Sequence, residues 1–176
     1  MKKLNSALIA RAINEVMDGK KTLLDETAVN NVMNSYMTQL QSDKCKPRID
    51  SGATFLANNA KRAGVKTTAS GLQYEMLRAG NGVRPTAKDS VTVHYRGTFI
   101  DGSGFDNSYD RGQPITFPLS GVIKGWTEGV QLMDEGSKYK LFVPYTLGYG
   151  ASDYGPIPGG SVLIFEIELL NVKKAQ

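Results

Sequence analysis

The chain has 176 residues, a length that suits one large domain or one domain with a smaller appendage. Its content of 40% hydrophobic and 22% charged residues is typical of a globular protein, and no apolar run approaches the roughly 18 residues of a membrane-spanning helix. A single cysteine and a single histidine exclude an intrachain disulfide and the usual zinc clusters.

The net charge of +4 is concentrated in the first third of the chain. Residues 1–66 contain 11 Lys and Arg against 6 Asp and Glu, whereas residues 67–176 contain 10 against 11. This asymmetry indicates two units, a first one at residues 1–66 and a second at residues 67–176. The basic surplus is too dilute to predict nucleic-acid binding, and neither a nucleic acid nor a membrane is expected as a partner.

The first third has the apolar periodicity of helices. Apolar residues recur every three or four positions from Ala7 to Met17, and Gly19 follows where glycine commonly ends a helix. Asp25 is the expected N-cap of a second helix, which has an apolar face between residues 29 and 40.

A third helical stretch follows Pro47, and its apolar stripe consists of Ile49, Ala53, Leu56 and Ala60. Pro47 either begins this helix in its first turn or kinks a longer one. Three short helices bury little apolar surface between them. They are expected to form a small bundle on the second unit or to serve as an arm for dimerisation or client binding.

From about Thr67 the apolar period changes to two, which predicts strands. Val91, Val93 and Tyr95 alternate with polar side chains, and Asp101-Gly102 has the composition of a hairpin turn. Further strands are predicted at residues 71–77, 138–144 and 161–172, and the only helix candidate is residues 125–133. The fold class is therefore α+β, an antiparallel β-sheet wrapped around one short helix and preceded by a small all-helical N-terminal region.

The common catalytic motifs are absent from this sequence. It has no phosphate loop and no G-x-S-x-G motif, and neither a metal nor a cofactor is expected. Cys45 and His94 lie in different predicted units, so they are not expected to form a nucleophile pair. We expect Cys45 to be an inert surface or helix thiol, and His94 to face outward from its strand.

The second half instead has the composition of an apolar binding pocket. Aromatic and branched residues lie on irregular segments and on strands, and they are Tyr95, Phe105, Ile115, Phe117, Val122, Ile123, Tyr149, Ile157 and Phe165. The only tryptophan, Trp126, lies in the segment VIKGWTEGV between Gly125 and Gly129, where glycine allows a sharp turn or a close backbone approach.

Residues 71–172 resemble the FKBP family of prolyl isomerases, which bind macrolide immunosuppressants. The shared motifs occur in order as YRG, DGSGFD, VIKGW, GYG, IP and LIFEIELL. The resemblance implies an FKBP-like fold and a peptidyl-prolyl cis-trans isomerase that acts on unfolded or flexible chains, with chaperone activity besides. The alternative is a non-catalytic module that holds peptides in the same pocket.

The resemblance also implies roles for individual residues. Trp126 is expected as the floor of the pocket, while the Ile123 N–H and the Tyr149 hydroxyl are expected to donate hydrogen bonds to carbonyls of the bound peptide. Asp106 is expected at the pocket edge, held by Tyr95 and Arg111. The other lining residues are expected to be Phe105, Ile115, Phe117, Val122, Ile157 and Phe165, with Ile115 at a position where many members have the larger Phe.

The first third resembles the N-terminal region of the macrophage infectivity potentiator branch of this family. That branch dimerises through its first helices and has a long helix that leads to the catalytic domain. Here the first dimer-forming helix is expected to be missing, and Pro47 and Gly52 are expected to interrupt the long one. A homodimer is a possible partner state under this resemblance, and the compartment stays open between the cytoplasm and, if a signal was trimmed, the periplasm.

Overall fold

The computed structural model describes residues 6–19 and 26–175, in two compact units, Met1–Leu40 and Gln41–Gln176. Helix α1 spans Ser6–Met17 and helix α2 spans Glu26–Asn59. The predicted second and third helical stretches are therefore one helix. Of the two expectations for Pro47, a position inside a longer helix is confirmed, and a separate third helix that begins at Pro47 is wrong. The predicted N-cap, Asp25, lies outside the described residues.

Helix α2 contains both residues that were expected to interrupt it, Pro47 and Gly52. Proline in a helix interior costs about 3 kcal/mol, so other interactions must stabilise the helix at this point. Gly52 is buried, and a Cβ on it would lie only 2.7 Å from Val162 Cγ2. The glycine thus permits a close approach of the helix backbone to Val162, in the segment that precedes the last strand.

The buried face of α2 differs from the predicted stripe. Cys45, Gly52 and Asn59 are buried at intervals of seven residues, whereas Ala53 and Ala60 are exposed. A seven-residue interval corresponds to two helical turns, so these residues share one face. Ile49 and Leu56 of the predicted stripe are half-buried on the same face, so the stripe was predicted in part. The fully buried positions carry small or polar residues, which a search for apolar periodicity does not select.

The second unit is built on a seven-stranded antiparallel sheet in the order β1-β2-β6-β7-β3-β4, with β5 paired to β3. The strands are β1 (Val65–Thr67), β2 (Gln73–Arg78), β3 (Ser90–Thr98), β4 (Gly104–Asn107), β5 (Ile115–Pro118), β6 (Lys138–Val143) and β7 (Leu163–Lys173). Strands β4 and β5 share the free edge of β3, because β5 pairs with its first half and β4 with its second.

The local sequence explains the central strand and its hairpin. Val91, Val93 and Tyr95 are buried in β3, and the residues between them are less so, as the alternation predicts. Gly102 has φ +85° in the turn between β3 and β4, a conformation that side chains disfavour. The predicted antiparallel sheet and its hairpin turn are confirmed.

The short helix α3 (Lys124–Val130) packs closely against β6. A Cβ on Gly125 would lie 2.5 Å from Val143 Cγ1, and one on Gly129 would lie 2.5 Å from Leu141 Cδ1. Of the two expected uses of these glycines, close approach is the one that the structure shows. This packing brings Trp126 against the inner face of the sheet.

Candidate active site

A cavity of about 440 Å³ lies where four strands, α3 and two loops meet. It is lined by Tyr95, Phe105, Asp106, Phe117, Gly121, Val122, Ile123, Trp126, Tyr149, Tyr154, Pro156, Ile157 and Phe165. Most of these side chains are aromatic or branched aliphatic, and one, Asp106, carries a charge. Such a mixture is typical of a small-molecule or peptide site.

Trp126 is buried on α3, and three other rings meet it edge to face. The ring centroids of Tyr95, Phe165 and Phe117 lie 5.1, 5.3 and 5.7 Å from that of Trp126, with interplanar angles of 85–87°. This is a favourable arrangement for aromatic pairs. The three contacts fix the indole plane, which gives the cavity a rigid aromatic surface.

Asp106 is held at the cavity by two donors. The Tyr95 hydroxyl donates to Asp106 Oδ2, and Arg111 Nη1 donates to Oδ1. Arg111 Nη2 also donates to the Tyr95 oxygen at 3.0 Å, so the three groups form a closed network. Hydrogen bonds of this kind, with an ionised partner, are among the stronger ones in proteins.

The network shifts the titration of both acids. Burial is the largest single influence on Asp106 and opposes its ionisation, but the hydrogen bonds from Arg111 and Tyr95 outweigh it and lower the pKa of the carboxyl. Burial, reinforced by the hydrogen bond to Asp106, raises the pKa of Tyr95 to about 12. Near neutral pH the site therefore holds a carboxylate beside a protonated phenol.

Two segments shape the rest of the cavity wall. Ile123 precedes α3, and its carbonyl accepts the Trp126 and Thr127 N–H groups at 2.9 and 3.1 Å. On the opposite segment Tyr149 stacks against Tyr154 with 4.5 Å between ring centroids. Burial is the main reason that the pKa of Tyr149 is raised, so its hydroxyl keeps its proton as a donor.

The structure brings ten of the twelve predicted site residues to the cavity lining. Arg111 lies outside the lining and donates a hydrogen bond to the Asp106 carboxylate. Ile115 also lies outside it, because it pairs with Val93 at the edge of the sheet and packs against the core. Phe117, two residues further along β5, lines the cavity.

Sequence reasoning missed three cavity residues: Gly121, and Tyr154 and Pro156 in the loop after Tyr149. The two loop residues are the more informative. Their segment, SDYGPIP, has the composition of a turn, and its tyrosine and prolines were the only signal. Tyr154 is 62% exposed, so neither periodicity nor core composition could select it.

Two further residues lie outside the cavity, and they largely match expectation: Cys45 is a thiol of helix α2, and His94 is a hydrogen-bonded histidine. Cys45 is fully buried rather than on the surface, and its thiol donates to the Ala151 carbonyl at 2.9 Å. His94 is half-buried, with Nδ1 2.9 Å from Ser108 Oγ and its ring stacked on Tyr109 at 4.4 Å. It is thus a hydrogen-bonded histidine of the outer sheet face, and neither residue borders the cavity.

The comparisons with known proteins agree with this fold. Residues 82–170 match the model of the FKBP-type peptidyl-prolyl cis-trans isomerase, and residues 1–76 match the model of the domain amino terminal to it. The chain belongs to the FKBP-type peptidyl-prolyl cis-trans isomerase family.

Individual relatives cover nearly all of the chain. It is 44% identical to the FKBP-type peptidyl-prolyl cis-trans isomerase FkpA of Aeromonas hydrophila, over 98% of this chain and 66% of that protein. It is 38% identical to the outer membrane protein MIP of Legionella longbeachae, over 98% of this chain and 77% of that protein. The crystal structure of FkpA from Escherichia coli superposes with a TM-score of 0.75 at 35% identity, over 99% of this chain and 84% of that one.

The chain thus spans slightly less than two thirds of the Aeromonas relative. A match to an Escherichia coli FkpA at 48% identity covers 70% of this chain and 46% of that protein. None of the helices that the structure describes is long and apolar enough to cross a membrane.

Proposed function

We propose that the protein accelerates cis–trans rotation about X-Pro bonds in unfolded or flexible polypeptides. The observation that carries this proposal is the cavity floor, which is the buried Trp126. Three other rings pack against its indole at nearly right angles and fix its orientation. A proline ring is compact and apolar, and it fits such a surface. Prolyl peptides are the substrates that the isomerase domain of this family implies.

The chemistry needs no nucleophile and no cofactor. Rotation about an X-Pro bond breaks amide resonance against a barrier of roughly 20 kcal/mol. The twisted amide has lost much of the charge separation of the planar one, so an apolar cavity favours it over the ground state. Packing of the proline ring on Trp126 holds one side of the bond while the other side turns.

The polar groups at the cavity orient the peptide on either side of that bond. The Ile123 N–H makes no hydrogen bond to another described residue, which leaves it free for a peptide carbonyl. The Tyr149 hydroxyl is the second donor in the proposal. Asp106 stays ionised and bound to Arg111 and Tyr95, so it contributes a fixed negative charge rather than a proton.

A cis–trans isomerisation assay on a tetrapeptide with a central X-Pro bond tests the proposal. Wild-type protein is expected to accelerate the rotation, and Tyr149→Phe to lower kcat/KM about fivefold to tenfold through the loss of one hydrogen bond. Combining it with Asp106→Leu is expected to lower the rate further. Tyr109→Phe, which removes a hydroxyl bound to Glu168 outside the cavity, is the matched control.

Absence of acceleration by wild-type protein would contradict the catalytic proposal. So would equal rates for wild type and for the Tyr149→Phe/Asp106→Leu double variant. A macrolide immunosuppressant that competes with the peptide would support the assignment of the cavity.

A second candidate function is a dimerisation or client-binding arm. The apolar surface of the compact unit Met1–Leu40 favours it. Large apolar side chains on α1 and α2 are between 40% and 80% exposed there, and they are Ile13, Val16, Met17, Val32, Met33, Tyr36, Met37 and Leu40. Contiguous exposed apolar surface commonly marks an interaction site. We propose that this surface joins two copies of the chain or holds unfolded clients, while residues 67–176 carry the isomerase activity.

Light scattering of the full chain at tens of micromolar separates these two uses. A mass of two chains, which falls to that of one chain after Val32→Glu and Met33→Glu, supports dimerisation. A monomer that suppresses aggregation of an unfolded protein supports client binding. A monomer without that effect contradicts both uses.

A further inference from the structure

The loop between Tyr149 and β7 is closed at its base. The Gly160 N–H donates to the Gly150 carbonyl at 2.8 Å. A Cβ on Gly159 would collide with the Ala151 carbonyl oxygen, so the two ends of the loop are in direct backbone contact. We call residues 151–160 the cavity loop.

The tip of the cavity loop is tied to its base. Tyr154 and Ile157 exchange two backbone hydrogen bonds, at 2.8 and 2.9 Å. The Asp153 carboxylate accepts the Gly159 N–H at 2.8 Å, which connects tip to base. Because Tyr154, Pro156 and Ile157 line the cavity, a displacement of the base changes the cavity wall.

Helix α2 donates hydrogen bonds to both ends of this base. The Cys45 thiol donates to the Ala151 carbonyl at 2.9 Å, and Arg48 Nη1 donates to the Gly159 carbonyl at 2.6 Å. The second bond has a charged donor and is half-buried, which makes it the stronger of the two. The base therefore depends on a helix that lies outside the cavity.

A salt bridge and a close contact complete this arrangement. Lys44 Nζ lies 2.7 Å from Asp153 Oδ2, although both side chains are largely exposed, so this pair contributes little energy. A Cβ on Gly160 would lie 2.8 Å from Ile49 Cγ1 and 3.3 Å from Cys45 Cβ. The helix thus packs directly on the loop backbone, with no side chain of residue 160 between them.

We propose that residues 44–49 of α2 position the cavity loop and thereby set the affinity of the cavity for the peptide residues that flank proline. The substrate class in this statement rests on the proposed function. Arg48 is the principal positioning residue. It does not border the cavity and acts through Tyr154 and Ile157, which do.

A positioning role has a different kinetic signature from a general structural one. Without the Arg48 hydrogen bond, the Gly159 carbonyl loses a donor and the loop samples more conformations. The peptide then binds more weakly, whereas rotation of the bound peptide on Trp126 is unchanged because α3 and Asp106 are untouched. A mere loss of folded protein would instead lower kcat and leave KM unchanged.

The test compares Arg48→Ala, Arg48→Lys and Lys44→Ala in the full chain. Lys46→Ala is the matched control, since Lys46 lies on the same turns of α2 but pairs with Asp50 on an exposed face. Trp126 is the only tryptophan, so its fluorescence reports the binding of the peptide Ala-Leu-Pro-Phe at the cavity.

Arg48→Ala is expected to raise Kd and KM about fivefold, which corresponds to one hydrogen bond, with kcat unchanged. Arg48→Lys is expected to restore part of the affinity, because one donor remains, and Lys44→Ala to have a smaller effect in the same direction. Amide hydrogen exchange of residues 151–160 is expected to accelerate in Arg48→Ala and not in Lys46→Ala.

An unchanged Kd and unchanged exchange in Arg48→Ala would overturn the proposal. Equal effects of Arg48→Ala and Lys46→Ala would overturn it as well. If wild-type protein binds the peptide but does not accelerate its rotation, the catalytic function fails, while Kd and exchange still decide the role of α2. Wild-type protein that does neither overturns both proposals.

Discussion

Gly97 shows how a single residue without a side chain shapes the cavity. It lies in β3 beside Phe105 and Phe165, and a Cβ at this position would lie 2.6 Å from the ring of Phe105 and 3.2 Å from that of Phe165. Phe105 and Phe165 are themselves in edge-to-face contact at 5.5 Å. The cavity wall formed by Phe105 therefore depends on a missing methyl group in the strand beneath it.

We predict that Gly97→Ala displaces Phe105 and lowers both stability and activity. Overpacking of this kind costs about 1–3 kcal/mol of unfolding free energy, and a misplaced wall should lower kcat/KM about tenfold. Urea unfolding and the isomerisation assay measure the two effects. Gly104→Ala is the control, because the nearest atom to its Cβ would be 3.8 Å away; equal loss in both variants would contradict the explanation.

At the scale of elements, α2 is attached to the sheet by a buried polar pair. Asn59 Nδ2 donates to Gln73 Oε1 at 2.8 Å, and Gln73 Nε2 donates to the Leu56 carbonyl at 2.9 Å. Asn59 is only 3% exposed and Gln73 only 5%. Buried amides must be paired, so this contact specifies where the helix ends against β2.

We predict that Asn59→Ala lowers the unfolding free energy by about 1–3 kcal/mol, because it leaves the Gln73 side-chain oxygen buried without its donor. Chemical denaturation measures the change. Asn58→Ala, one residue earlier on an exposed position of the same helix, is expected to stay close to wild type. Ala has a higher helix propensity than Asn, so propensity alone cannot destabilise either variant. A loss in Asn58→Ala as large as in Asn59→Ala would therefore contradict the role of the buried pair.

At the scale of the whole molecule, the charges of the cavity predict a flat pH profile. The pKa of Asp106 is lowered, against the effect of its burial, by Arg111 and Tyr95, while burial raises the pKa of Tyr95 to about 12 and also raises that of Tyr149. None of these groups changes its charge between about pH 5 and pH 9.

Isomerase activity should therefore be independent of pH over this range. Line-shape or exchange NMR of a prolyl peptide measures it without a coupled protease, whose own pH dependence would interfere. The activity should fall at acid pH, where Asp106 gains a proton and its bond to Arg111 weakens. A bell-shaped profile centred near neutral pH would contradict this assignment of charges.

Stability should depend on pH through a second carboxylate, Asp89. It accepts hydrogen bonds from the Thr86 and Ala175 backbone N–H groups at 2.7 and 2.8 Å and from Lys174 Nζ at 3.0 Å. The backbone donors are the main cause of its strongly lowered pKa. This carboxylate attaches the end of the chain to the residues before β3.

A group whose pKa is lower in the folded state stabilises the fold above its unfolded pKa, near 4, and loses this effect as the pH falls toward the folded value. We predict that Asp89→Asn is less stable than wild type at pH 7 and that the difference shrinks below about pH 4. Thermal unfolding across pH measures it, with Asp110→Asn on an exposed loop as the control. A difference that is constant with pH would contradict the prediction.

The fold class and most of the site were predictable because their signals are local. Alternation between buried and exposed residues in β3 requires only a period of two, and the Asp101-Gly102 turn requires only the positive φ of a glycine. The ordered family motifs, which include both Asp106 and Trp126, pointed to most of the residues that line the cavity and to the family without any coordinates.

Tertiary structure decided what those signals could not. Helix α2 continues through Pro47 because Cys45, Gly52 and Asn59 pack on residues far along the chain, and such contacts outweigh the local cost of proline. Tyr154 reaches the cavity only because its loop folds back onto Tyr149. The sequence by itself determined the antiparallel sheet and most of the residues that line the cavity, because alternation and turn chemistry are local. Long-range packing determined where the helix runs and which loop completes the wall.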